Sequence, residues 1–205
     1  MNSALKYFHS NIERVRDLGA LHKYFSQVVT SPLLDFSDIL RAQLVLSVSA
    51  FDYYIHEITR LGMLEVFNGL RLSTNGFEQF SIPLQAVMPS LNGTVGDGWI
   101  DELIRQKHSY LAFQNPDKVA DVIRLFYACD LWQSVSNQLG MSKKDIKARL
   151  QLIVDRRNKI AHEADLDPSY PDTRWPISPK DVNDAVDFLV KVCEAIYFIV
   201  TNPTT

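Results

Sequence analysis

This sequence predicts an all-α fold, a helical bundle of long antiparallel helices. Three observations carry that prediction. Apolar residues recur every three or four positions along extended stretches of the chain. Those stretches are bounded by capping residues, glycine or proline. No strand-like alternation of any length appears, nor any internal repeat.

Taken in order, Leu5, Phe8, Ile12, Val15, Leu18, Phe25 and Val28 form one stripe on a helix from about Ser3 to Val29. Ser31-Pro32 ends it. A second helix starts near Asp35 or Ser37, both good N-caps, and runs to about Phe67. Its middle, Ala42 to Phe51, carries no charge and is apolar nearly all round, which marks a helix central to a bundle. Asn68 to Gly98 breaks the pattern with Gly69, Gly76, Gly93, Gly96, Gly98, Pro83 and Pro89. It reads as an irregular insertion with one short helical turn. Trp99 to His108 forms a short helix. Asn115-Pro116 is an N-cap with proline at the first helical position, opening a helix that ends by Gly140. Ser142-Lys143-Lys144-Asp145 is a capping-box type start for the next helix. Pro168, Pro171, Pro176 and Pro179 then punctuate a rigid loop. Ser178-Pro179 starts the last helix, whose stripe is Val182, Ala185, Val186, Leu189, Val192, Cys193, Ile196 and Val200. A chain of 205 residues suits one domain, 1–205.

Composition narrows the setting. Hydrophobic residues make up 46% and charged residues 22%, enough apolar material for a core. Cys129 and Cys193 lie far apart with no C-x-x-C, which fits neither a disulfide framework nor a zinc site. The N-terminal segment is charged and lacks the apolar region of a secretory signal, and no uncharged apolar span is long enough for a membrane helix. The expected setting is the cytoplasm, with no membrane association. Net charge is −3, so any nucleic-acid site is local rather than global.

One segment stands out, Leu150 to Asp165 (LQLIVDRRNKIAHEAD). The apolar phase there runs Ile146, Leu150, Ile153, then Arg157, then Ile160. Arg157 therefore falls in the buried stripe, and a buried charge is not left unpaired. Either it pairs in the core with a carboxylate such as Asp52 or Asp155, or the stripe faces a groove or partner helix where an anion binds. Asn158 and His162 are four apart and share a helix face. From Lys143 to Lys159 there are seven basic residues against Asp145 and Asp155, in a chain that is negative overall. A solvated helix face is the common fate of such charges. The asymmetry with the rest of the chain favours a phosphate-binding patch of Lys143, Lys144, Lys147, Arg156 and Lys159.

Arg157-Asn158-x-x-x-His162 resembles the R-[N/D/H]-x-x-x-H signature of the HEPN superfamily (higher eukaryotes and prokaryotes nucleotide-binding). The wording DRRNKIAHEADLDP is similar to its RiboL-PSP-HEPN branch, and so is Arg41-Ala42 through Ser49-Ala50-Phe51-Asp52-Tyr53-Tyr54-Ile55-His56-Glu57. The segment Tyr110 to Lys118 adds to the likeness, which covers most of Leu40 to Ile196. A bare R-x4-H is weak; in a late helix with these flanks it is specific.

The resemblance implies a helical bundle that dimerises so that two motif helices form one composite cleft. It implies a metal-independent endoribonuclease needing no cofactor. In it, His162 does acid–base work on an RNA 2′-hydroxyl or leaving group, as an imidazole titrating near neutral pH can. Arg157 holds the scissile phosphate and stabilises transition-state charge, and Asn158 orients groups in the cleft. Family members commonly act as toxins or in anti-phage defence, often on transfer RNA. A regulatory protein or antitoxin is then an expected partner beside RNA and a second copy of the chain. The alternative is a non-catalytic HEPN module that binds RNA, a nucleotide or a protein.

Other chemistries fit less well. His162-Glu163-x-Asp165 lacks H-E-x-x-H spacing and a second nearby histidine or cysteine, so no metal site is expected. Cys129 and Cys193 sit in apolar helix patterns and read as inert core thiols. No P-loop is present. Asp52, His56 and Glu163 are candidates for a supporting shell, although a core hydrogen bond is the commoner fate of an Asp52–His56 pair. Nothing in the sequence forms an aromatic platform for bases.

Overall fold

The computed structural model describes residues 1–31, 34–92, 98–170 and 172–202. Pro32, Gly93, Gly96 and Pro171, used above as breaks, lie outside these residues. The described residues form nine helices and no strand, with one isolated antiparallel bridge between Leu166 and Arg174. Four long helices make the bundle: α1 (Asn2–Val28), α2 (Ser37–Phe67), α8 (Lys143–His162) and α9 (Pro179–Thr201). Between α2 and α8 lie α3 (Asn75–Glu78), α4 (Leu84–Leu91), α5 (Trp99–His108), α6 (Pro116–Ile123) and α7 (Leu131–Leu139).

The long helices alternate in direction. Phe8 packs on Tyr54 and Phe25 on Phe36, so α1 and α2 are antiparallel. Arg16 pairs with Asp187 and His9 with Glu194, so α9 is antiparallel to α1. Arg149 donates to Asp184 O while Arg156 donates to Pro176 O, just before α9, which sets α8 antiparallel to α9. The centre is the α2–α9 pair, where the Tyr54 hydroxyl donates to Cys193 O at 3.0 Å. Tyr54, Phe8, Phe51, Phe113 and Phe126 are among the largest fully buried side chains. Each contributes about 1.5–3 kcal/mol by burial. All eight residues of the expected α9 stripe are buried. Among the described residues no helix is long and apolar enough to cross a membrane.

Local signals explain most boundaries. Ser37 opens α2, and the Asp35 carboxylate accepts its backbone N–H at 2.8 Å. Ser142 and Ser178 cap α8 and α9 through the N–H groups of Asp145 and Asp181. Gly140 follows α7 with φ 65°, the left-handed closure glycine provides.

Two expectations need correction. The stretch from Pro116 to Gly140 is two helices, not one. The i→i+4 ladder gives way to i→i+3 bonds at Leu125 and Phe126, and Asp130 then caps a new helix by accepting Gln133 N–H. Trp132 Nε1 donates to Pro116 O, folding α7 back over the start of α6. The 68–98 insertion holds two short helices, α3 and α4, rather than one turn; α3 is capped by Thr74 and α4 carries Pro89 inside.

The kink at Leu125–Phe126 sends the Phe126 ring against Gly62 of α2. A Cβ at Gly62 would overlap that ring. Gly62→Ala is therefore expected to destabilise the chain by about 1–3 kcal/mol, although alanine is the better helix former. Urea unfolding of the two proteins measures it; an unchanged midpoint would mean that Phe126 moves aside freely.

Candidate functional site

The motif residues occupy the last two turns of α8, where only half-buried Ile160 still packs against the core. The buried residues of α8 stop at Val154. Arg157 is half-buried, and its guanidinium donates to Gln114 Oε1. The expected carboxylate partners are engaged elsewhere. Asp52 accepts Phe113 N–H at 2.6 Å, and Asp155 accepts from Gln151 at 2.7 Å. Arg157 thus meets a neutral amide, not an acid. Asn158 is half-buried and His162 exposed, and neither side chain has a hydrogen-bond partner among the described residues. At 3.6 residues per turn, Asn158 and His162 are about 40° apart around the axis, whereas Arg157 and His162 are about 140° apart.

Gln114 has a traceable support. It lies on the 109–115 loop, which α2 pins at two points. Asp52 accepts Phe113 N–H, and the His56 Nε2–H donates to Leu111 O at 3.2 Å. Asn115 then caps α6 and donates to Gln151 of α8 at 3.0 Å. Asp52 and His56 therefore hold the loop that faces Arg157. Beneath the loop, His108 is buried against Phe113, Phe80 and His56. Burial, then the charges of His56 and Lys107, lower its pKa to about 4.

The end of α8 is held by residues that periodicity did not single out. Glu163 is the exposed C-cap, and Ala164 and Asp165 take left-handed φ of 52° and 60°. The Asp165 N–H closes on Lys159 O at 3.0 Å. The Asp165 carboxylate, 1% exposed, accepts from Arg41 Nε at 2.7 Å and Arg156 Nη2 at 2.8 Å. Arg156 also donates to Trp175 O and Pro176 O.

The basic residues are distributed differently from a bare patch. Lys143 pairs with Asp130, Lys147 with Asp117 and Arg156 with Asp165. Lys159 Nζ lies 5.0 Å from the centre of the Trp175 ring. Lys144 is exposed, with no partner among the described residues. Three carboxylates brought from outside the segment thus offset charges that looked unopposed in sequence. Lys159 over Trp175 also places an aromatic ring beside the motif, which the sequence alone did not suggest.

Neither cysteine is poised for nucleophilic work. Burial raises the Cys129 thiol to about 11 and pushes fully buried Cys193 well above its ordinary range. His162, Glu163 and Asp165 do not converge as ligands: Asp165 is buried under two arginines while the other two are exposed. Among the described residues no group of three or more His, Cys, Asp or Glu could hold a metal ion.

The helical bundle agrees with comparison to known proteins. The family model described as RiboL-PSP-HEPN matches residues 9–202. No curated protein and no solved structure matches the chain. With that match spanning nearly its whole length, the chain belongs to the RiboL-PSP-HEPN family and carries a HEPN-type domain.

Proposed function

We propose that the chain, as one domain, is a metal-independent endoribonuclease acting as a homodimer, with Arg157, Asn158 and His162 as its site. The observation that carries this is the state of the motif. Among the described residues Arg157 has no acid partner, and His162 is exposed with no partner. A core arginine would be paired with a carboxylate, and a structural histidine would be buried and bonded.

The roughly 140° between Arg157 and His162 supports a site shared across a two-fold axis, where each copy supplies what the other helix points away from. In such a cleft the RNA 2′-oxygen attacks the adjacent phosphorus and the bond to the 5′-oxygen breaks. The 2′-hydroxyl gives up a proton and the leaving 5′-oxygen gains one. His162 takes part in these transfers, Arg157 holds the phosphate oxygens, and Asn158 orients the reacting groups. The products are a 2′,3′-cyclic phosphate and a 5′-hydroxyl. Of the five basic residues proposed for RNA contact, Lys144 and Lys159 have no carboxylate partner among the described residues, and they are best placed to meet RNA phosphates. A toxin or anti-phage role in the cytoplasm, transfer RNA as target and control by an antitoxin belong to the same proposal.

The test is purified protein incubated with total RNA in EDTA, with fragment ends mapped. Discrete fragments with cyclic phosphate ends are expected. Cleavage that appears only with a divalent metal would overturn the reading. The second reading is a non-catalytic module binding RNA, a nucleotide or a protein; the ion pairs at Lys143, Lys147 and Arg156 leave fewer free cations to hold a scissile phosphate, which bears on both readings. Tight, salt-dependent RNA binding without turnover would select the second.

A further inference from the structure

We propose that Asp165, clamped between Arg41 and Arg156, is a positioning residue for His162. This rests on the reading of His162 given above. Asp165 is buried, although an aspartate three residues past a helix end is ordinarily solvated. Its Oδ2 is shared by an arginine of α2 and one of α8. Arg41, 6% exposed, is itself fully engaged: Nε on Asp165, Nη1 on Ser37 Oγ at 2.6 Å, and Nη2 on Trp175 O at 2.9 Å.

The backbone shows what this clamp holds. Ala164 and Asp165 both sit in the left-handed region, which non-glycine residues occupy only when their surroundings impose it. The turn brings Asp165 N–H back to Lys159 O, closing the chain directly behind His162, the last residue of α8. Among the described residues the His162 side chain has no hydrogen bond, ion pair or ring contact to fix it. Its direction is set by the backbone at the end of α8 and the turn that closes it, and the carboxylate holds that turn. Trp175 N–H donates to Asp165 O at 2.9 Å and locks the other side of the turn. Arg157 is fixed separately, through Gln114. The clamp on Asp165 and the loop on α2 thus orient the two ends of the motif independently.

Asp165→Asn keeps the shape and removes the charge that draws in both guanidinium groups. RNA turnover in EDTA is expected to fall about 10- to 100-fold, as misplacing a catalytic group does, with KM little changed. A purely structural role would move the melting temperature but leave turnover intact below it. The second readout needs no activity. In NMR spectra of the five histidines, the His162 ring signals should shift and broaden in Asp165→Asn, while those of His9 and His22 on α1 stay put. Arg41→Lys, which keeps the charge but not the fork, should fall between wild type and Asp165→Asn. Should Asp165→Asn fold poorly, the same substitution beside Ala164→Gly relieves the left-handed backbone and repeats the test. Wild-type turnover in Asp165→Asn, or unmoved His162 signals, would overturn the positioning role. If the wild type itself does not cleave RNA, the enzymatic reading fails, and the His162 signals still decide whether the clamp orients that ring.

Discussion

His162→Ala is expected to lower RNA cleavage in EDTA by about 10²- to 10⁴-fold, the range for losing one acid–base group. It should change unfolding free energy by no more than about 0.5 kcal/mol, as exposed positions away from special contacts do. The two expectations come from one fact: the ring is exposed and bonded to nothing among the described residues. Turnover assays paired with urea unfolding check both. Full activity in the variant would remove His162 from the chemistry. A large loss of stability would mean that the side chain has a structural task this fold does not show. The shared-site geometry sharpens the test. Arg157→Ala and His162→Ala are each inactive alone on this reading. If Arg157 of one copy works with His162 of the other, mixed and re-annealed subunits regain about one quarter of wild-type activity, since half the dimers then carry one of two intact sites. A site contained within one chain would stay silent on mixing.

Local patterns carried the reading of the fold, and long-range pairings escaped it. The stripes of α2 and α9 were legible because each repeats a 3.6-residue period over many turns. The break between α6 and α7 was missed because the apolar phase continues through it. The signal present was Asp130-x-x-Gln133, a capping pattern in mid-stripe. The site shows the same division. The arginine in an apolar phase and the shared face of Asn158 and His162 were visible from spacing, and the resemblance joined the three as a candidate site. The half-burial of Arg157 falls where the fully buried residues of α8 have ended at Val154 and only half-buried Ile160 still meets the core, which no phase argument marks. Gln114, Arg41 and Asp165 were not legible as parts of the site. Arg41 and Asp165 are 124 positions apart and meet only because α2 and α8 run antiparallel. The ion pairs of the basic segment were hidden in the same way, because Asp117 and Asp130 arrive from other elements.

Acid should weaken this fold through His108. Its folded pKa is about 4, held down chiefly by burial among Phe80, Phe113 and His56, against about 6.5 for an unfolded histidine. Between those values the unfolded chain binds a proton that the folded chain refuses. By linkage, stability rises with pH across that window. The contribution is whole above pH 6.5, falls as the pH drops toward 4, and levels off below. At about 1.4 kcal/mol per unit the full loss is roughly 3 kcal/mol, with about 2 kcal/mol already gone at pH 5. The His108 Nδ1 is buried without a hydrogen-bond partner, so an apolar ring in its place gives up no bond at that atom. His108→Phe should therefore flatten the dependence between pH 7.5 and 5 while matching or exceeding wild-type stability at the acid end. Urea unfolding at several pH values measures it, and parallel slopes for the two proteins would assign the acid sensitivity to other groups. The local consequence reaches the site. His108 packs against Phe113, the residue whose N–H Asp52 holds, and Gln114 follows directly. Protonating the ring would place a charge beside Lys107 under the one loop that faces Arg157, so that loop is where acid should first loosen the fold.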